Sequence, residues 1–70
     1  MTDTDDFFRY FKVGLVPVKI EFNEYGARAA YAWENGTFKI DNRYIADVMD
    51  GEDVVELNEK EFVQLISESH

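Results

Sequence analysis

The chain has few side chains that could act as nucleophiles or as metal ligands. It has no cysteine, its single histidine is His70, and its only serines are Ser67 and Ser69. A Ser-His-Asp site built from the last four residues of a chain would lack the rigid support that catalysis requires. The His and Cys ligands that zinc prefers are missing as well. The sequence therefore predicts a protein that is not an enzyme and that holds no metal or cofactor.

Carboxylates are the one versatile chemical group in abundance, with fifteen Asp and Glu residues. A calcium loop with Gly51 as its central glycine would need oxygen ligands where Ala46, Val48 and Leu57 stand, so that motif fails. The four glycines occur singly, which excludes a phosphate-binding loop. The basic residues form no aromatic-flanked stripe that would bind nucleic acid. An enzyme that uses a carboxylate pair is an alternative that rests only on the number of acids.

The acids are unevenly distributed along the chain. Of the net charge of −8, residues 1–43 carry −1 and residues 44–70 carry −7. A negative field of this kind repels nucleic acid and anionic membranes and attracts basic protein surfaces. The alternative is that the acids only keep a small protein in solution. The acids predicted to contact a basic partner are Asp47, Asp50, Glu52, Asp53, Glu56, Glu59 and Glu61.

Aromatic residues near the start of the chain form a second candidate surface. Four of them occupy five positions with only Arg9 between them, too many for one face of a small element: Phe7, Phe8, Tyr10 and Phe11. A chain of 70 residues without disulfides has a small core, so it gains from aromatic burial or from a second copy. These residues either cover one end of the fold or form a partner-binding or dimer surface.

Residues 16–41 predict a three-stranded antiparallel meander, the centre of a single domain that spans residues 1–70. Apolar and polar side chains alternate along Val16–Phe22 and Thr37–Asp41, which is the pattern of half-buried strands. Asn35-Gly36 between them predicts a type I′ turn. Pro17 cannot donate a ladder hydrogen bond, so the first strand should lie at an edge or pair only beyond Val18.

The segment 27–33 is rich in alanine, which also suits a helix, but its flanking turns and short length favour a strand. Such a strand would present Arg28, Ala30 and Ala32 on one side, and a small face of this kind would let a helix pack closely.

Two segments and the N-terminus are less sharply defined. Residues 4–13 favour a short helix with Thr4 as its N-cap, although their aromatics also suit a strand. Residues 43–49 and 52–57 fit a second hairpin around Asp50-Gly51. The alternative is a short helix that is capped by Asp41 or Asn42 and ends at Gly51. Residues 1–5 are expected to be flexible.

A C-terminal helix over residues 58–68 has the clearest signals in the sequence. Asn58 is placed as the N-cap, and Glu61 three residues later completes a capping box. Leu57 and Phe62 stand at the positions of a hydrophobic staple. The helix is too short to be stable alone, so we expect it to dock on the sheet.

The sequence thus predicts an α+β fold: a small antiparallel β-meander of three to five strands, a C-terminal helix packed on one face and a possible short N-terminal helix. We expect a non-catalytic protein that occupies a basic, nucleic-acid-binding surface of a partner protein by charge mimicry. Phage-encoded anti-CRISPR and anti-restriction proteins offer an analogy in size and charge alone. The alternative is an accessory subunit that self-associates, or joins a larger assembly, through its aromatic surface.

The location expected from the sequence is the cytoplasm. The first residues are acidic, and no apolar run approaches the roughly 20 residues that cross a membrane. We expect neither nucleic acid nor membrane to be a direct partner, and a homodimer stays open.

Overall fold

The computed structural model describes residues 7–68, which form a five-stranded antiparallel sheet and two helices. In chain order the elements are β1 (Phe7–Val13), β2 (Val16–Asn23), β3 (Gly26–Glu34), β4 (Thr37–Ile40), α1 (Arg43–Asp50), β5 (Val54–Leu57) and α2 (Glu59–Glu68). The first four strands form a meander, and β5 returns to the other side of β1, so the strand order is β4-β3-β2-β1-β5. The predicted α+β class, the meander and the C-terminal helix are confirmed. The flexibility predicted for residues 1–5 concerns a segment outside the described residues.

The N-terminal segment is a strand, so the helix predicted over residues 4–13 is wrong from Phe7 onward, and residues 4–6 lie outside the described range. β1 pairs with β2 along its whole length and with β5 over its last four residues. The strand carries apolar side chains on both faces, so it lacks the alternation that marks a half-buried strand in sequence. Its crowded aromatics are therefore divided between the two faces of the sheet.

Residues 43–50 form α1, so the hairpin predicted around Asp50-Gly51 is wrong and the helical alternative is confirmed. Gly51 ends the helix in the left-handed conformation, with φ of 79°, and donates its N–H to the Asp47 carbonyl at 3.2 Å. At the other end, the Asp41 carboxylate accepts a hydrogen bond from the Arg43 N–H at 3.2 Å. Packing on the sheet decides the outcome, because Tyr44, Ile45 and Val48 cover the buried core.

Each face of the sheet carries one helix. α1 covers the face on which Val18, Ile20, Ala30 and Ala32 are fully buried, and the two alanines allow the close approach expected from the sequence. α2 covers the other face through Phe62, which is 3% exposed and whose ring centroid lies 4.7 Å from that of Tyr10. The sheet is thus the middle of three layers, with α1 on one side and α2 on the other.

β2 lies in the centre of the sheet and not at the edge that Pro17 suggested. Val13 and Val16 flank a two-residue turn and so form a hydrogen-bonded pair. Because hydrogen-bonded and non-hydrogen-bonded pairs alternate along the ladder, Pro17 opposite Lys12 is a non-hydrogen-bonded pair and its nitrogen faces β3. The β2–β3 ladder begins only at Val18, opposite Ala32. Pro17 therefore costs no ladder hydrogen bond, and the predicted start of pairing at Val18 holds on that side.

The local turn and cap signals are also found in the structure. Asn35 and Gly36 both have positive φ, 53° and 81°, as the predicted type I′ turn requires. Asn58 donates its N–H to Glu61 Oε1 at 2.9 Å, and Glu61 donates its N–H to Asn58 Oδ1 at 2.7 Å. This reciprocal pair is the predicted capping box, and it fixes where α2 begins directly after β5.

Candidate protein-binding site

Four of the seven predicted acids lie together where α1 ends and β5 begins. They line a surface depression of about 350 Å³ whose residues are Val13, Gly14, Tyr44, Asp47, Asp50, Glu52 and Asp53. The loop between α1 and β5 is held by a hydrogen bond from the Gly14 N–H to the Asp53 carbonyl, at 2.8 Å, and by Gly51, the C-cap of α1. We refer to the surface of Asp47, Asp50, Glu52 and Asp53 as the acidic end.

The negative charge of the acidic end is almost uncompensated. All four residues are exposed, and within residues 7–68 no ion pair or side-chain hydrogen bond forms at Asp50, Glu52 or Asp53. Arg43 interacts electrostatically with Asp47, but its guanidinium is bound by the Asp41 carboxylate at 2.9 Å. That hydrogen bond raises the pKa of Arg43 and lowers the pKa of Asp41. The acidic end therefore presents a concentrated negative field to solvent.

The other three predicted acids lie apart from the acidic end, and two of them have structural partners. Glu56 binds the Arg9 guanidinium through two hydrogen bonds, of 2.7 and 3.0 Å. This pairing lowers the pKa of Glu56 and raises the pKa of Arg9. Glu61 belongs to the capping box, and Glu59 is exposed in the first turn of α2. The length of β5, about 10 Å, separates the start of α2 from the acidic end.

The four predicted aromatics do not share one surface. Phe11 is buried in the core, and Tyr10 packs against Phe62 beneath α2. Phe7 is 51% exposed and stacks on Phe22, while Phe8 is 40% exposed on the opposite face of the sheet. These two lie at the far end of β1 from the acidic end, about 20 Å away. The acidic and aromatic candidates can therefore be altered independently.

Two exposed apolar side chains beside the acidic end were not predicted from the sequence. Leu15 is 87% exposed at the tip of the β1–β2 turn, next to Gly14, and Met49 is 63% exposed in α1, next to Asp50. The dipeptide Gly14-Leu15 could have indicated this exposure, because Gly-X is a favoured two-residue hairpin turn. In the structure Gly14 has the positive φ, 61°, that such a turn uses. The signal for Met49 depended on recognising α1. Apolar groups next to acids are typical of protein-binding surfaces.

Smaller depressions lie elsewhere in residues 7–68, one of them of about 260 Å³ and lined by Asp41, Arg43, Tyr44 and Asp47. Another, of about 210 Å³, lies between β5 and α2 and combines two acids with one base; its lining residues are Lys12, Leu57, Glu61, Gln64, Leu65 and Glu68. Within residues 7–68, no three side chains converge as potential metal ligands. No helix in that part of the chain is long and apolar enough to cross a membrane.

Comparison with protein families, curated proteins and solved structures finds no match to this chain.

Proposed function

We propose that the chain is a non-catalytic binding protein whose acidic end docks on a basic surface of a partner protein. The partner is a cytoplasmic protein that otherwise uses this surface to hold nucleic acid. The observation that carries the proposal is the group of exposed carboxylates on one side of a small fold, three of which have no cationic partner among residues 7–68. In the complex they accept hydrogen bonds from Arg and Lys side chains in place of phosphate oxygens.

The way in which the carboxylates are held favours such a role. α1 packs on the buried sheet, and the loop after it is fixed by the Gly14–Asp53 hydrogen bond. A backbone that is already ordered loses little conformational entropy on binding, so more of the electrostatic energy of the carboxylates that it carries contributes to affinity. Leu15 and Met49 supply apolar contacts that salt does not screen. Phage-encoded anti-CRISPR and anti-restriction proteins are the kind of inhibitor that this mechanism suggests.

The second candidate function is an accessory subunit that self-associates or joins a larger assembly through its exposed aromatic side chains, Phe7 and Phe8. It is favoured by the exposure of Phe7 and Phe8, at 51% and 40%. Light scattering after size exclusion distinguishes it from the first proposal. A dimer that persists from low to high salt and is lost in a Phe7→Ser, Phe8→Ser variant would support the accessory subunit.

The test of the first proposal is capture from a cytoplasmic lysate with the immobilised chain and two charge-matched variants. One variant carries Asn or Gln at all four residues of the acidic end. The control removes the same amount of charge elsewhere, by replacing Glu21, Glu24, Glu34 and Glu68 with Gln. Circular dichroism serves to check that both variants keep the fold.

We expect the wild-type chain and the control variant to capture the same nucleic-acid-binding proteins at about 50 mM salt and to release most of them at about 200 mM. Short duplex DNA should compete for the captured proteins, because it occupies the same basic surface. The acidic-end variant should capture little. Equal capture by the acidic-end variant, or capture that DNA does not reduce, would contradict the proposal.

A further inference from the structure

We propose that the outer edge of β5 accepts an extended, basic segment of the partner protein as a sixth strand of the sheet. This inference rests on the proposed function and specifies the form in which the partner binds. It concerns the backbone groups of β5 and the acids on either side of it, and not the acidic end alone.

The register shows which backbone groups of β5 are available. Tyr10 stands opposite Leu57 and Lys12 opposite Val55, and the Gly14 N–H bonds to the Asp53 carbonyl. Hydrogen bonds from successive residues of a strand point to opposite sides, so Asp53, Val55 and Leu57 face β1. The N–H and C=O groups of Val54 and Glu56 therefore face outward. Among the described residues, none hydrogen-bonds to these four groups.

The other edge of the sheet is guarded, whereas the β5 edge is not. β4 carries the exposed Lys39, and charged lysines on an edge strand discourage further pairing. Beyond β4, Asn42 Oδ1 accepts the Ala30 N–H at 3.1 Å and the Asp41 N–H donates to the Ala30 carbonyl at 2.8 Å, which closes that part of the edge.

β5 contains neither proline nor lysine. Its one charged residue, Glu56, is bound by Arg9, and Val55 is 54% exposed. An unguarded edge of this kind readily pairs with another strand.

Charge selects a basic segment as the occupant in preference to a second copy. Glu52 and Asp53 precede β5, and Glu59 follows it. If two copies paired antiparallel about Val55, Glu52 of one copy would lie beside the start of α2 in the other, next to Glu59. These like charges would repel each other. A strand with Lys or Arg at its ends turns each of these contacts into an attraction.

The probe for this proposal is a blocked peptide of alternating arginine and threonine, added to the full chain labelled with ¹⁵N. In the free protein we expect the outward amides of Val54 and Glu56 to exchange with solvent quickly and the inward amides of Val55 and Leu57 to exchange slowly. Bound peptide should slow exchange at Val54 and Glu56 at least tenfold, because a new ladder would bury and bond these groups. Unchanged exchange at these two residues in the bound state overturns the proposal.

Three variants test the edge by affinity. Glu56→Pro removes the outward N–H and also the Arg9 ion pair, whereas Glu56→Gln removes the charge alone and is its matched control. Ile40→Pro removes the corresponding outward N–H from the β4 edge. We expect Glu56→Pro to bind the peptide about tenfold more weakly than Glu56→Gln, the cost of leaving one peptide carbonyl unpaired, and Ile40→Pro to bind as wild type does.

The outcomes separate this inference from the proposed function. Equal affinity of Glu56→Pro and Glu56→Gln, with binding lost in the acidic-end variant, overturns the strand addition and leaves the proposed function intact. Affinity that depends on the β5 edge but not on the acidic end would contradict the proposed function only. A dimer formed through β5, or a peptide that does not bind at all, overturns the inference, and the capture experiment then decides the function by itself.

Discussion

Replacing Phe62 by alanine should release α2 from the sheet. Phe62 is 3% exposed, and its ring centroid lies 4.7 Å from that of Tyr10 and 6.1 Å from that of Phe38. It is the one residue of α2 that is buried. A helix of 10 residues is not stable in water without tertiary contacts. Loss of this anchor should therefore unfold the helix as well as leave a cavity.

The expected cost is large compared with the total stability. Phe→Ala in a core costs about 3–5 kcal/mol. A domain of this length has a free energy of unfolding of about 3.5–10 kcal/mol, from about 0.05–0.15 kcal/mol for each residue. We expect α2 to detach while the sheet stays folded. The detached fraction of the molecules should be large enough to detect before the sheet unfolds.

Urea unfolding and amide hydrogen exchange measure the two parts of this prediction. We expect the amides of α2 to lose protection while those of β2 and β3 keep it, and the helical circular dichroism to fall. Val63→Ala is the matched control, because Val63 is 56% exposed on the same helix and should change stability by no more than about 0.5 kcal/mol. A Phe62→Ala variant that loses less than about 1 kcal/mol and keeps α2 protected would refute this account of how the helix docks.

Three further predictions concern the sheet. Lys19 Nζ lies 4.2 Å from the Phe38 ring centroid. Lys19→Met should therefore remove about 1 kcal/mol of stability and lower the melting temperature by about 4–8 °C. An unchanged melting temperature would contradict the cation–π contact. Ala32 is fully buried beneath α1, so Ala32→Leu should cost about 1–3 kcal/mol in urea unfolding, and a neutral result would contradict the close approach of that helix.

Because Arg9 lowers the pKa of Glu56, the Glu56 carboxylate stabilises the fold above the ordinary glutamate pKa of about 4.3, and this contribution disappears as the pH falls through the lowered value. The difference in melting temperature between wild type and Glu56→Gln should therefore shrink toward zero as the pH is lowered below the ordinary glutamate pKa. A difference that stays constant over this fall in pH would contradict the ion pair.

Local signals in the sequence predicted those parts of the fold that short-range chemistry decides. The Asn35-Gly36 turn and the capping box of Asn58 and Glu61 depend on residues at most three apart, and both occur as predicted. β1 was harder, because its aromatic side chains lie on both faces of the sheet, which removes the alternation of a half-buried strand, and because these aromatics suit a helix equally well. α1 has only 8 residues, so its packing on Ala30 and Ala32, and not its own pattern, decides its structure.

The candidate site was predictable in composition but not in arrangement. Sequence identified the acids of the last 27 residues, but only the positions of α1 and β5 bring four of them together. The capping box assigned Glu61 a structural role from sequence alone. The pairing of Glu56 with Arg9 could not be foreseen, since it depends on β5 meeting β1 across 47 positions of the chain.

The affinity of a captured partner for the wild-type chain and for the acidic-end variant, measured across a range of salt concentrations, tests the central claim most directly. The account predicts tight binding of the wild type at low salt that weakens steeply as salt rises, and weak binding of the acidic-end variant with a shallow dependence on salt. Equal affinities with equal salt dependence would show that the acidic end does not carry the binding, and would contradict the proposed function.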